Sequence, residues 1–202
     1  MIQEFHRDIE RCRSYGDNWL RLTLNPSLWL IFWYRLGYWL YTENKNRFIR
    51  LLCRPPYFFG SLLCEIVMGM RLDPSAKIGP GLYIGHYGGI RINMDTQIGE
   101  NCSLTHNVTI GTKGLGKKGS PRIGNNVYIG TGATLIGHIS VGDGARIAAN
   151  TLVTRSVPAG ATVMGVPGRI VKRAPSAIAP TTAPPEESAA ITLPELARAS
   201  AV

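Results

Sequence analysis

The chain of 202 residues is poor in acid: 13 Asp and Glu stand against 22 Lys and Arg, leaving a net charge of +9. That balance suits an anionic small molecule, an anionic polymer or a lipid surface. No recognised nucleic-acid motif accompanies the basic residues, so nucleic acid is not an expected partner. Cysteine is scarce, and Cys12, Cys53, Cys64 and Cys102 form no CxxC pair and no metal-like spacing. They read as reduced thiols of a cytoplasmic protein. The first residues, Met-Ile-Gln-Glu-Phe-His-Arg-Asp, lack a signal-peptide core. Two apolar runs, 28–41 and 57–70, both fall short of the roughly 20 residues that span a bilayer, and Arg35 interrupts the first. Nucleophile signatures are missing as well. There is no GxSxG elbow and no cysteine with a matched base. Residues 111–118 nearly spell GxxxxGK, but Lys118 stands where a P-loop needs Ser or Thr. The histidines are not spaced as a three-histidine zinc site, so no metal is expected.

What the chain does have is a period of six. From Ile123 the aliphatic position returns at Ile129, Leu135, Val141, Ile147 and Val153 without a miss. The fifth position of each hexad is Val127, Ala133, Ile139, Ala145 or Thr151, two residues before the next aliphatic, so both face one side of a short strand. Positions two to four are rich in Gly, Asn and Asp, which tolerate the left-handed backbone of a corner. Three-residue strands separated by corners must wind about an axis, each coil stacking on the last: a hexapeptide-repeat solenoid. An amphipathic helix would show a period of 3.6 and few glycines. Earlier hexads start at Ile78 and Ile84, the phase slips by two residues, and Ile92, Ile98, Leu104 and Ile110 restore it. A glycine-rich, basic stretch at 111–122 is expected as an extruded loop, a common place for a substrate lid.

Before the array, residues 1–14 suit a short charged helix. Asn25-Pro26-Ser27 reads as the cap and first turn of the apolar helix 28–41. Helix resumes at 47–53, Pro55-Pro56 is expected to break it, and 57–70 forms a second apolar helix. The region 28–70 packs on the first coil and on neighbouring subunits; its dense Trp and Tyr beside Arg also fit a peripheral contact with the inner face of a membrane. After 173 the composition turns to Pro, Ala, Thr and Ser, expected to be disordered, with one helical turn near 193–199. The division is thus 1–70 helical, 71–173 solenoid, 174–202 tail.

His86 and His106 are both third in their hexads and twenty residues apart, equal to three hexads plus the slip. With three hexads per turn they share one edge in adjacent coils. An imidazole at an exposed edge can take a proton from a hydroxyl near neutral pH. His138, fourth in its hexad, and His6, outside the array, are expected to be incidental.

From 72 to 173 the chain resembles the hexapeptide-repeat acyltransferases, and within them the serine O-acetyltransferase family. The resemblance rests on Pro74-Ser-Ala-Lys-Ile-Gly-Pro-Gly-Leu-Tyr-Ile-Gly-His86, on Asn107-Val-Thr-Ile-Gly-Thr, on residues 123–153, and on the terminal Gly165-Val-Pro-Gly-Arg-Ile-Val171. Residues 34–41 are similar to the last part of that family's helical domain. The resemblance implies a mainly β fold, a left-handed parallel β-helix with an N-terminal α-helical region, and a homotrimer that binds acetyl-CoA between prisms. It implies His86 as general base, Gly111, Thr131 and Ala149 near the pantetheine arm, and Arg169 and Lys172 near the phosphates. Two departures bear on the acceptor. Gly85 stands where the family carries Asp, and Gly119-Ser120 where it carries Arg-His. Those groups hold the ammonium and carboxylate of serine, in charge-assisted hydrogen bonds worth roughly 1.5–3 kcal/mol each. The expectation is therefore acetyl transfer from acetyl-CoA to a hydroxyl of a sugar or exopolysaccharide precursor. Serine acetylation for cysteine synthesis is the first alternative, and a non-catalytic trimeric scaffold or membrane-docking protein the second.

Overall fold

The computed structural model describes residues 1–16, 18–114 and 119–172. The tip of the glycine-rich loop and the tail expected after 173 lie outside the described residues.

From Arg71 onward the chain winds as a three-faced parallel β-helix. The first face stacks Arg71–Leu72, Arg91–Ile92, Thr109–Gly111, Thr134–Ile136 and Leu152–Val153. The second stacks Lys77–Ile78, Gln97–Ile98, Arg122–Ile123 and Ser140–Val141. The third stacks Tyr83–Ile84, Ser103–Leu104, Tyr128–Ile129, Arg146–Ile147 and Thr162–Met164, and closes with Arg169–Lys172 turned antiparallel. Arg91 pairs with Thr109 and Thr134 with Leu152, eighteen residues on in each case, so three hexads make one turn. The aliphatic position of every hexad points inward, with Ile84, Leu104, Ile129, Leu135 and Ile147 almost wholly buried. The fifth position joins it: Val127, Ala133, Ala145 and Thr151 are buried too. Asn101, Asn107, Asn126 and Asn150 hold φ of 53–58°, the left-handed corners that the polar positions of the hexads anticipate.

Among the described residues four helices precede the coil: α1 (Ile2–Ser14), α2 (Trp19–Leu24), α3 (Pro26–Tyr38, running on into a π turn at Trp39–Glu43) and α4 (Arg47–Met68). Asn25 caps α3 by accepting from the Ser27 N–H, with Pro26 in the first turn as expected. Leu30, Ile31 and Tyr34 of α3 join the core of the first coil through Met70, Leu72, Ala76 and Ile78.

The first coil has no preceding coil to satisfy its backbone, and α1 and α3 supply the missing partners. The Tyr34 hydroxyl donates to Ala76 O at 2.7 Å and accepts from Ile78 N–H at 3.1 Å. Arg35 donates to Ile78 O at 2.5 Å and to Gly79 O at 2.7 Å. It also forks onto Asp8, at 2.9 and 3.2 Å, and Asp8 accepts the Leu82 N–H at 2.8 Å. Arg35, the one charge in the apolar run, is 1% exposed and serves the open end of the prism, where unpaired backbone groups would be costly.

Two expectations are corrected. Pro55-Pro56 does not break the helix; α4 passes through both as one element of 22 residues. The carbonyls four residues back belong to Leu51 and Leu52, on the exposed side, where water can replace the lost donors. Consequently α4 reaches, by length and composition alone, the size that crosses a membrane. The short α2 had no counterpart in the expected elements.

Candidate active site

The strand register defines one ridge of the prism residue by residue. Ile84, Leu104, Ile129 and Ile147 pair in sequence down the third face. Two positions beyond each, at the corner leading to the first face, stand His86, His106, Thr131 and Ala149. Each coil step is about 4.8 Å, so from His86 to Ala149 the ridge runs roughly 14 Å. Titratable side chains occupy one end of it, and small ones the rest.

The two imidazoles lie edge to face, 5.7 Å between centroids and 78° between planes. His86 is exposed and His106 half-buried. The difference traces to the slip in the repeat. Ile84 to Ile90 spans two more residues than Leu104 to Val108, and the extra pair is His86 and Tyr87 themselves: Asn107 N–H bonds Gly88 O as Gly132 N–H bonds His106 O, which puts Gly88 in the place of His106. Gly88 takes φ of 117°, which a side chain rarely tolerates, and Tyr87 stands out into solvent. The corner bearing His86 therefore bulges where the next coil is tight. His106 Nδ1 is buried with no hydrogen-bond partner among the described residues. A buried ring nitrogen left so is unfavourable unless a bound hydroxyl or an adjoining chain completes it.

A cavity of about 710 Å³ opens at this end of the ridge. Gly85, His86, Tyr87 and His106 form one wall; Leu20, Arg21, Leu24 and Asn25, from α2 and the start of α3, form the other. Arg21 is the one charged side chain other than histidine among the described lining residues, and no carboxylate faces it there. This wall was missed in the sequence, where 19–24 carries no long period; Tyr87 had a visible signal in the phase slip.

The other expected site residues are placed as follows. Thr131 and Ala149 continue the ridge, and the Thr131 hydroxyl donates to Thr105 Oγ1 at 3.2 Å. Arg169 pairs with Met164 beside the ridge's far end and is exposed. Lys172 ends the same strand, and its side chain lies outside the described residues. Gly111 ends a strand of the first face, so it sits at the next corner rather than on the histidine ridge. The described ends of the loop stay at that next corner: the Ser120 hydroxyl bonds Asn93 Oδ1 at 3.3 Å, and Gly119 packs against His138. His6 pairs with Glu10 on α1, away from the ridge. Among the described residues no group of three or more His, Cys, Asp or Glu is placed to hold a metal ion.

An exposed base, a second imidazole at its edge and a ridge of small residues are parts suited to moving a proton off a hydroxyl beside an extended donor. Comparison with known proteins points the same way. Residues 120–155 match the family model described as bacterial transferase hexapeptide, six repeats. A serine acetyltransferase of Helicobacter pylori strain J99 is 36% identical over 171 residues, covering 83% of this chain and 94% of its own. One from Synechococcus elongatus is 32% identical over 176 residues, covering 86% of this chain and 68% of its own. Among solved structures, a Brucella abortus serine acetyltransferase in complex with coenzyme A superposes with a TM-score of 0.70 at 29% identity, over 85% of this chain and 67% of that one. A Neisseria gonorrhoeae serine acetyltransferase in complex with serine gives 0.73 at 27% identity, over 84% and 68%.

Proposed function

Because this chain belongs to the serine acetyltransferase family of hexapeptide-repeat transferases, we propose that it transfers acetyl from acetyl-CoA to the hydroxyl of a small acceptor, with His86 as general base. His86 takes the hydroxyl proton while the oxygen attacks the thioester carbonyl in a ternary complex. The tetrahedral intermediate collapses with loss of the CoA thiolate, which the imidazolium reprotonates. The donor lies along Thr131 and Ala149, where small side chains leave room, with its phosphates toward Arg169 and Lys172. The observation that carries this reading is the ridge itself, which sets His86 and His106 5.7 Å apart at the mouth of the cavity. A homotrimer accompanies it. The described ends of the loop and the histidines occupy different corners of one prism, so in such an assembly the loop-bearing corner of one copy can face the ridge of the next.

The acceptor favoured by the relatives is L-serine rather than the sugar expected from the sequence: the curated relatives carry that name, and one structural neighbour holds serine. Arg21 offers a partner for the acceptor's carboxylate in place of the absent Arg-His pair. A neutral sugar hydroxyl remains a second reading on one observation, that no carboxylate among the described residues lines the cavity to hold an ammonium. CoA release measured with L-serine beside a panel of sugars separates the two. L-serine should give the highest kcat/KM, and Arg21→Ala should lower it by about 10- to 150-fold, the equivalent of one charge-assisted bond. Turnover with a sugar alone would overturn serine as acceptor, and no acetyl-CoA-dependent turnover with any acceptor would overturn the reading as a whole.

A further inference from the structure

Helix α4 is amphipathic the wrong way round for a protein bathed only in water. Its buried positions, Tyr57, Gly60 and Cys64, fall on one line and face α3; Gly60 meets the Trp33 ring so closely that no Cβ would fit. Its large apolar side chains point outward. Phe59 is 68% exposed, Leu63 60% and Ile66 73%, and Phe48, Leu52 and Val67 continue the strip along the helix. At 1.5 Å per residue the helix is about 33 Å long, far beyond the scattered apolar residues of an ordinary surface.

The charge beside that strip is of one sign. Lys45, Arg47, Arg50 and Arg54 fall within ten residues, and no acidic residue occurs from 44 to 64. Among the described residues none of the four is paired with a carboxylate; Arg54 lies over the Tyr41 ring. Lys45, Arg47 and Arg50 stand at the N-terminal turn of α4, where cations oppose the helix dipole, so their placement works against the helix and calls for an anionic partner. A two-fold contact of α4 with a second copy would set these cations against the one acid of that helix, Glu65, which already meets Arg71 and Arg91.

We propose that the outer face of α4 docks on the surface of an anionic lipid bilayer, lying in the headgroup plane rather than crossing it. Crossing would strip Tyr57, Gly60 and Cys64 from α3 and carry Arg47, Arg50 and Arg54 into hydrocarbon. Lying flat, the helix buries Phe59, Leu63 and Ile66 among the upper acyl chains and leaves its inner face on α3. The basic flank meets the lipid phosphates.

The test is flotation of the full-length chain with vesicles of phosphatidylglycerol and phosphatidylcholine, against pure phosphatidylcholine, with light scattering in parallel. The chain should float with the anionic vesicles, far less with the neutral ones, and lose binding as salt is raised. Arg50→Ala/Arg54→Ala should weaken partitioning on the order of 30-fold, at one headgroup contact per cation. Phe59→Glu/Leu63→Glu should abolish it while keeping the wild-type circular dichroism and oligomeric mass. Failure to float with anionic vesicles overturns the proposal, as does equal flotation with neutral ones. So does unchanged flotation of Phe59→Glu/Leu63→Glu, or a fall in that variant's mass with no wild-type flotation, which would make the face an interface between copies.

Discussion

Replacing Arg35 by Met leaves the Asp8 carboxylate stranded at the open end of the prism. Asp8 is fully buried and Arg35 is 1% exposed, so water cannot take over from the guanidinium. Removing one partner of such a pair is worth about 3–5 kcal/mol, because the remaining charge is uncompensated. For a chain of this size that is a fall in Tm of roughly 6–20 °C, at fixed protein concentration. The pH dependence has a definite sign. Burial raises the Asp8 carboxyl above its ordinary value, outweighing the nearby guanidinium that acts to lower it. A raised carboxyl is most stabilising when protonated, and that contribution is lost as pH rises through its folded value. Arg35→Met takes away the lowering influence, so its deficit should be largest at neutral pH and shrink on acidification. The double variant Asp8→Leu/Arg35→Met should be less damaged than the sum of the two singles by about 3 kcal/mol, leaving Leu82 N–H, Ile78 O and Gly79 O without these partners. Thermal melts followed by circular dichroism at neutral and mildly acidic pH decide the matter. Melting of Arg35→Met within ~2 °C of wild type, or additive singles, would refute the claim that this pair closes the coil's open end.

Two other outcomes follow from packing and burial. Gly60→Ala drives a Cβ into the Trp33 ring, so α4 must move off α3; a loss of about 1–3 kcal/mol in denaturant melts is expected, and a neutral variant would contradict that contact. Burial pushes the Cys102 thiol up to about 11, and it raises Cys64. Iodoacetamide at mildly alkaline pH should therefore label Cys53 in the folded protein, and Cys12, Cys64 and Cys102 only after unfolding, as read by mass spectrometry. The Cys102 contribution to stability is complete below its ordinary value of 9.0 and is lost as pH rises toward about 11.

The coil was legible because each hexad position answers one local demand. Ile129 or Ile147 must fill the prism, Asn126 or Asn150 must turn left-handed, and neither requirement depends on distant residues. The cap at Asn25 and Pro26 was readable for the same reason. Arg35 was not: in the sequence it is a charge in an apolar run, and only the unpaired backbone of Ile78 and Gly79 explains it. The prolines of α4 misled because their cost depends on whether the carbonyls at Leu51 and Leu52 face water. In the site, register alone placed His86 and His106 on one edge, since eighteen residues per turn plus a two-residue insertion is arithmetic. The insertion's effect on His86, the wall made by α2, and the distance of Gly111 from the ridge all depend on three-dimensional placement that hexads do not encode.

The central claim is that His86 is the base, and the turnover number of His86→Ala measures it most directly, with donor binding followed in the same samples by the rise of Tm on adding acetyl-CoA. Loss of general-base help should lower kcat by roughly 10²–10⁴-fold. The donor-induced rise should persist, because the residues proposed to hold acetyl-CoA lie farther along the ridge. An unchanged kcat in a folded, donor-binding His86→Ala protein would contradict the mechanism.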